Sequence, residues 1–308
     1  MSEPARVVAV VPTFNPDAGF PARATALLRQ VEMLIVVDDG SSGSREWETH
    51  LAAVPSLVLV RQENRGIAAA INHGIELARD RCPELDFVLT VDQDSTLGEA
   101  YVQNATSTFA RARDAGIPVG AICAGQFNDW QVTPRHSRDG FQATLEVAQS
   151  GLLIPATTLR DIGVFNEGFF IDCVDTEYAL RMMRSGLWVV VGDACQMSHE
   201  VGTVLNLEIL GRAISIRGKT LKFSYHSALR RYYISRNRVI MYRRYFWSDP
   251  IWNTRETIFE TRTTLLSILF GPKKLNQALA VVLGIVDGAA GVAGKAPGRR
   301  RRAFGSAA

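Results

Sequence analysis

The chain lacks any apolar run of the roughly 20 residues that a bilayer-spanning helix needs, so no transmembrane segment is expected. Cysteine is sparse: Cys82, Cys123, Cys173 and Cys195 are the only four, and no Cys-x-x-Cys pair occurs. That spacing gives no support to zinc or dithiol chemistry and predicts reduced thiols used for packing, as in a cytosolic protein. A surplus of one charge is lacking too. The 34 Lys and Arg residues against 31 Asp and Glu leave +3, too little to argue for nucleic acid. Neither a Gly-x-Gly-x-x-Gly nor a P-loop pattern opens a helix, so dinucleotide and P-loop sites are not expected. A Gly-rich basic loop that could hold a triphosphate is missing after the first apolar run, which argues against a nucleotidyltransferase. There is no internal repeat. No basic leader with an apolar core is seen either. The opening valine run stops at Pro12 and predicts a first strand rather than a signal peptide.

What is present is ordinary globular composition, 47% hydrophobic and 21% charged in 308 residues, enough for one large or two small domains. Short β-favouring runs at 6–11, 33–37, 57–60 and 87–91 alternate with helical patterns at 22–30, 67–79 and 97–113, and 119–123 is strand-like again. In the second helical pattern Ile67, Ile71, Ile75 and Ala78 share a face. Buried runs alternating with helices predict an α/β fold with a mainly parallel central sheet and right-handed crossovers.

The first four runs each break into a polar loop: Thr13 and Asn15, Asp38 and Asp39, Asn64 and Arg65, Asp92 and Asp94. Parallel strands put such loops on one sheet edge, where ligands of open α/β sheets bind. Any one loop alone reads as a polar turn; the four together favour a nucleotide crevice. Asp92 and Asp94 are two residues apart and point to one side of an extended chain. Paired carboxylates repel unless a cation lies between them, and a hard divalent ion at a strand end takes phosphate oxygens as further ligands.

Further on, 125–141 is polar and irregular and predicts a loop over the site, and 145–154 holds Ser150-Gly151 before an apolar run. Asp172 or Asp175 can cap a helix continuing through Leu180 and Met183, with Asp175 and Glu177 in its first turn, where the helix dipole favours acids. A strand at 187–191 precedes Met197-Ser198-His199-Glu200. A helix over 225–237 sets Tyr232 beside Arg236 and Tyr233 beside Asn237. Such pairs suit diphosphate and sugar contacts or, equally, a solvated basic face. Segments 257–270 and 275–286 predict two helices joined at Gly271-Pro272, free to pack on the preceding domain, to form a homo-oligomer contact or to lie on a membrane surface. Arg299 to Arg302 add either affinity for an anionic leaflet or a solvated, disordered tail.

Taken in order, these motifs resemble the inverting family 2 glycosyltransferases of the GT-A fold, and within them bacterial rhamnosyltransferases that use dTDP-L-rhamnose. The resemblance runs from about Val7 to Tyr245. It rests on Val10-Val11-Pro12-Thr13-Phe14-Asn15, Val36-Val37-Asp38-Asp39-Gly40-Ser41, and Asn64-Arg65-Gly66 followed by Asn72 and Gly74. It also rests on Val91-Asp92-Gln93-Asp94-Ser95, an Asp-x-Asp motif, and on Ile171-Asp172-Cys173-Val174-Asp175-Thr176-Glu177-Tyr178, the acidic motif that holds the base. A Tyr-Tyr-x-x-Arg-Asn segment, Tyr232 to Asn237, is similar as well.

The resemblance implies that Asp39 reads the pyrimidine, with Thr13, Asn15, Asn64 and Gly66 nearby. Asp92 would hold the ribose or an outer metal position, and Asp94 and His199 would bind Mg²⁺ or Mn²⁺. Arg236 would contact a phosphate and Asp175 would be the general base. Many relatives carry Glu-Asp where this chain has Val174-Asp175, so Asp172 or Glu177 stays open as a partner or substitute. The implied acceptor is a glycan or lipid-linked saccharide in cell-surface polysaccharide synthesis, at the inner face of the cytoplasmic membrane. UDP-galactofuranose or a UDP-hexose is the alternative donor, and a non-catalytic nucleotide-sugar-binding subunit the alternative class. The implied domains are a catalytic domain over 1–245 (nucleotide part about 1–125, acceptor part about 126–245), a helical extension over 246–294, and a basic tail over 295–308.

Overall fold

The computed structural model describes residues 5–199, 202–209 and 212–304. They form two compact units: Met1–Glu167 with Val174–Glu200, and Gly168–Cys173 with Val201–Ala308.

The first unit begins with β1 (Val7–Thr13), α1 (Phe20–Leu28), β2 (Met33–Asp38), α2 (Glu46–Leu51), β3 (Leu57–Arg61), α3 (Ile67–Arg81) and β4 (Phe87–Thr90). It continues with β5 (Ser95–Leu97), α4 (Tyr101–Asp114), β6 (Val119–Cys123), β7 (Gln126–Phe127), β8 (Trp130–Gln131), β9 (His136–Arg138) and β10 (Phe141–Ala143). It closes with β11 (Leu152–Pro155), α5 (Ala156–Asp161), α6 (Val174–Arg184), β12 (Trp188–Val191) and β13 (Gln196–His199).

A nine-stranded sheet has the order β3-β2-β1-β4-β11-β6-β12-β10-β9. β1 to β4 run parallel, while β11 and β10 run against their neighbours. The mainly parallel sheet expected from the strand–helix alternation is therefore present. β1, β2 and β4 are buried along almost their whole length, which is why they read as continuous apolar runs rather than alternating ones. α3 packs against β1 and β2, and Ala70, Ile71 and Gly74 are among its buried residues. A Cβ on Gly74 would overlap the Val10 side chain, so glycine permits the approach of helix to strand.

The segment expected as a loop over the site is partly ordered into strands: β7 pairs with β8 and with β13, and β9 pairs with β10. Two-residue strands are too short for a periodic signal. The four cysteines carry no disulfide and three are buried. Burial pushes the Cys123 and Cys195 thiols up to about 12, so they stay protonated packing groups.

The second unit contains short antiparallel pairings between 204 and 224, then α7 (Ala228–Tyr245), α8 (Pro250–Phe270), α9 (Lys274–Ala289) and α10 (Gly298–Ala303). Its core joins Ala228, Tyr232, Tyr233, Ala280, Ala296 and Phe304. The division expected at residue 245 differs from these units because α7 packs on α9 and shares that core. The basic segment expected as a disordered tail includes α10. Arg300 pairs with Asp287 at 2.9 Å, and Phe304 is buried. Among the described residues, no helix is long and apolar enough to cross a membrane.

Candidate active site

The loops after β1, β2, β3 and β4 assemble as the strand ends predict. After β1, Asn15 accepts the backbone N–H groups of Ser42 (2.9 Å) and Gly43 (3.1 Å) through Oδ1. Its own N–H donates to Ser41 Oγ. Thr13 Oγ1 donates to the Val37 carbonyl, so Thr13 is a buried link between β1 and β2. Asp39 is buried and receives three hydrogen bonds of 2.8 Å, from Gln62 Nε2 and from the backbone N–H groups of Arg65 and Gly66. The carboxylate thus fixes the loop that opens α3. Gly66 supplies the positive φ of 97° needed there. Asn64 lies in the same loop, and Gly40 (φ 82°) sits so close to it that a Cβ would meet the Asn64 backbone nitrogen at 2.8 Å.

Gln93, between the two acids, holds the β1 and β4 loops together. Its side-chain amide accepts from Phe14 N–H at 2.8 Å and donates to the Phe14 carbonyl at 3.3 Å. Arg23 Nε donates to the Gln93 carbonyl at 2.9 Å.

Asp92, Asp94 and His199 come together, with one ligand atom from each lying within 4.8 Å of the others, all three half-buried. His199 is brought there by β13, which pairs antiparallel with β5 in the register His199↔Ser95. His199 Nδ1 lies 3.3 Å from Asp94 Oδ1 and 3.0 Å from Ser95 Oγ. Ser150 Oγ donates to Ser95 Oγ at 2.8 Å and accepts from the Asp92 N–H at 3.0 Å. Ser95 and Ser150 are buried, so they lock the imidazole and the acid loop from below. Two carboxylates and an imidazole suit a divalent cation that accepts oxygen and nitrogen donors.

Asp175 sits in the first turn of α6, half-buried. Burial raises its carboxyl above the ordinary aspartate value, and hydrogen bonds from Thr176 and the Gln149 backbone oppose that shift. Thr176 N–H donates at 2.7 Å. Gln149 and Ser150 are adjacent, so one dipeptide contacts both Asp175 and the Asp92 loop. Thr90 Oγ1 anchors that dipeptide through the Gln149 carbonyl at 2.5 Å. The alternatives to Asp175 are engaged: Glu177 is buried and paired with Arg181 at 3.0 Å, and Asp172 is paired with Arg230 at 3.0 Å.

One expected contact is corrected. Arg236 is fully buried in the second unit. Its guanidinium donates to the Gly294 carbonyl (2.7 Å), the Gly168 carbonyl (3.2 Å) and Asn237 Oδ1 (3.0 Å), and stacks 4.9 Å from the Tyr233 ring centre. Fully buried, with three of its N–H groups donating inside the fold, it is a packing arginine rather than a phosphate ligand. Ser95, Ser150 and Gln93 were missed as supporting residues, because a serine or glutamine beside a loop carries no signal until its partner is known.

Strand-end loops, an acid pair and an imidazole on a mainly parallel sheet fit a nucleotide-sugar glycosyltransferase of the GT-A fold. Residues 8–160 match the model of glycosyl transferase family 2. The protein named dTDP-rhamnosyl transferase RfbF, from Shigella flexneri, is 26% identical over 303 residues, covering 94% of this chain and 97% of the relative. The structure of S. aureus TarS 1-349 in complex with UDP-GlcNAc aligns with a TM-score of 0.52 and 15% identity, over 97% of this chain and 84% of that one. At that identity the likeness speaks for the fold alone. The chain carries a glycosyl transferase family 2 domain and is a glycosyltransferase.

Proposed function

We propose that the protein transfers L-rhamnose from dTDP-L-rhamnose, with inversion, to a hydroxyl of a glycan or lipid-linked saccharide at the inner face of the cytoplasmic membrane. The observation that carries this reading is the Asp92–Asp94–His199 cluster, linked through Gln149 and Ser150 to a half-buried carboxylate, Asp175. The donor is taken from the Shigella flexneri relative, whose similarity extends over 94% of this chain.

Asp39, Thr13, Asn15, Asn64 and Gly66 line the loops that receive the nucleoside. Asp92, Asp94 and His199 would hold Mg²⁺ or Mn²⁺. When bound, that ion supplies Lewis-acid stabilisation to the departing diphosphate. Asp175 accepts the proton of the acceptor hydroxyl as its oxygen bonds to the anomeric carbon and the bond to the diphosphate breaks. One displacement suffices, and no residue need become covalently attached to the sugar. A carboxyl raised by burial is a stronger base once ionised, which suits this role.

The test is a donor panel with Mn²⁺ and no acceptor, scored by slow hydrolysis. Consumption of dTDP-L-rhamnose alone is expected. Consumption of UDP-galactofuranose or a UDP-hexose instead would transfer the same site to that donor. Binding of nucleotide sugars without any turnover, even with saccharide acceptors, would favour a non-catalytic subunit.

A further inference from the structure

We propose that the outward face of α8 and α9 docks on an anionic phospholipid bilayer, an interaction that does not depend on which sugar is transferred.

Each helix has one stripe turned inward. On α8, Trp252, Asn253 and Ser267 are buried, and on α9 Gln277, Ala280 and Gly284 are. Gly284 and Gly288 bring α9 against α7 so closely that a Cβ would lie 2.6 Å from the carbonyl oxygens of Tyr232 and Arg236. The opposite stripes are bare. On α8, Ile251 is 76% exposed, Ile258 65% and Leu269 55%. On α9, Leu275, Leu279, Val282 and Val286 are exposed, at helical spacing. Trp247, just before α8, is 85% exposed. Contiguous exposed apolar faces of this kind mark interaction surfaces.

Charge decides what covers the face. Between residues 246 and 304 the carboxylates are Asp249, Glu256, Glu260 and Asp287, and each is engaged inside the unit. Asp249 accepts the Trp252 N–H and caps α8. Glu256 and Glu260 pair with Arg238, and Glu260 also with Arg231. Asp287 pairs with Arg300 and accepts from the Tyr232 hydroxyl. Arg255 and Arg262 are exposed, and their spacing sets them in the stripe of Ile251, Ile258 and Leu269. Lys273 and Lys274 are exposed at the turn between the helices.

The bare face is therefore apolar with positive charges only. A bilayer with anionic headgroups complements both features, because arginine stems lie along acyl chains while their guanidinium groups reach phosphates. A tryptophan at the edge is typical of the bilayer interface. A second copy of this chain would set like charges against like, which disfavours a symmetric pair through this face. Since no described helix can cross a membrane, the helices lie on the surface.

Flotation of the full chain with vesicles tests this. Binding is expected to vesicles containing phosphatidylglycerol and not to pure phosphatidylcholine. The double variant Arg255→Glu/Arg262→Glu should lower partitioning at least about twenty-five-fold, at roughly fivefold for each lost arginine charge. Leu275→Ser/Leu279→Ser should abolish it. Both variants should keep the parent's rate of donor hydrolysis in solution, which shows that they fold. Absence of flotation, or flotation unchanged by the charge reversal, overturns the proposal. So does a dimer in light scattering that the leucine substitutions dissolve, since a second copy would then be the occupant.

Discussion

Asp175→Asn separates chemistry from structure in this protein. The aspartate Oδ1 accepts the Thr176 N–H at 2.7 Å and Thr176 Oγ1 at 3.3 Å, and the Gln149 backbone adds a further bond. An asparagine oxygen keeps the Thr176 pair, while its NH₂ group faces the remaining donor, at a cost of about 1–3 kcal/mol. Against that, asparagine has no charge to desolvate, and burial is the largest influence on this carboxyl. The two effects oppose, so the net change in stability stays below about 2 kcal/mol. Loss of a general base is larger, about 10²–10⁴ in rate, or roughly 3–5 kcal/mol in the barrier.

The assay has three arms: transfer rate at saturating donor, donor affinity by calorimetry, and denaturant unfolding. The variant is expected to unfold near the parent midpoint, to bind donor as the parent does, and to lose transfer. The pH profile adds a sign. The base works only when ionised, so the parent's rate rises with pH through the Asp175 pKa. Because burial raises that pKa, the acid limb falls above the 3.8 of an ordinary aspartate. Transfer by Asp175→Asn at the parent rate would refute the base assignment. A lost rate accompanied by lost donor binding would mean the residue holds structure rather than a proton.

Asp94→Ala and His199→Ala should each weaken Mn²⁺ binding to the donor-free protein at least about tenfold in calorimetric titration; unchanged affinity in both would dissolve the cation site. Asp39→Ala leaves the N–H groups of Arg65 and Gly66 without their acceptor in a buried loop. A loss of about 2–4 kcal/mol in denaturant unfolding is expected, together with weaker nucleotide binding; a loss below about 1 kcal/mol would show that the loop re-pairs.

Reading function from the sequence worked where the information is local. β1, β2 and β4 are buried and β3 is half-buried, so their apolar runs and the polar residues that end them were visible without coordinates. Asp92 and Asp94 declared themselves by a spacing of two, because strand geometry alone puts such residues on one side. Asp175 and Glu177 were legible as first-turn acids, but not that Glu177 was already paired. That needed the ion pair of Glu177 with Arg181. Arg236 misled for a related reason. A tyrosine–arginine pair at helical spacing looks the same whether it meets a phosphate or, as here, the carbonyls of Gly168 and Gly294.

By itself, then, the sequence determined the strand–helix alternation, the polar strand ends and the acidic motifs, all set by periodicity over a few residues. Only tertiary structure decided the rest. Strand direction is not written in a strand's own residues, so the reversed β11 within the parallel sheet was invisible. His199 meets Asp94 because β13 takes one register against β5, across about a hundred residues of chain. Which faces of α8 and α9 stay bare follows from how closely Gly284 and Gly288 let α9 approach α7. Each of these depends on pairings between distant segments, whose energies appear only once the chain has closed on itself.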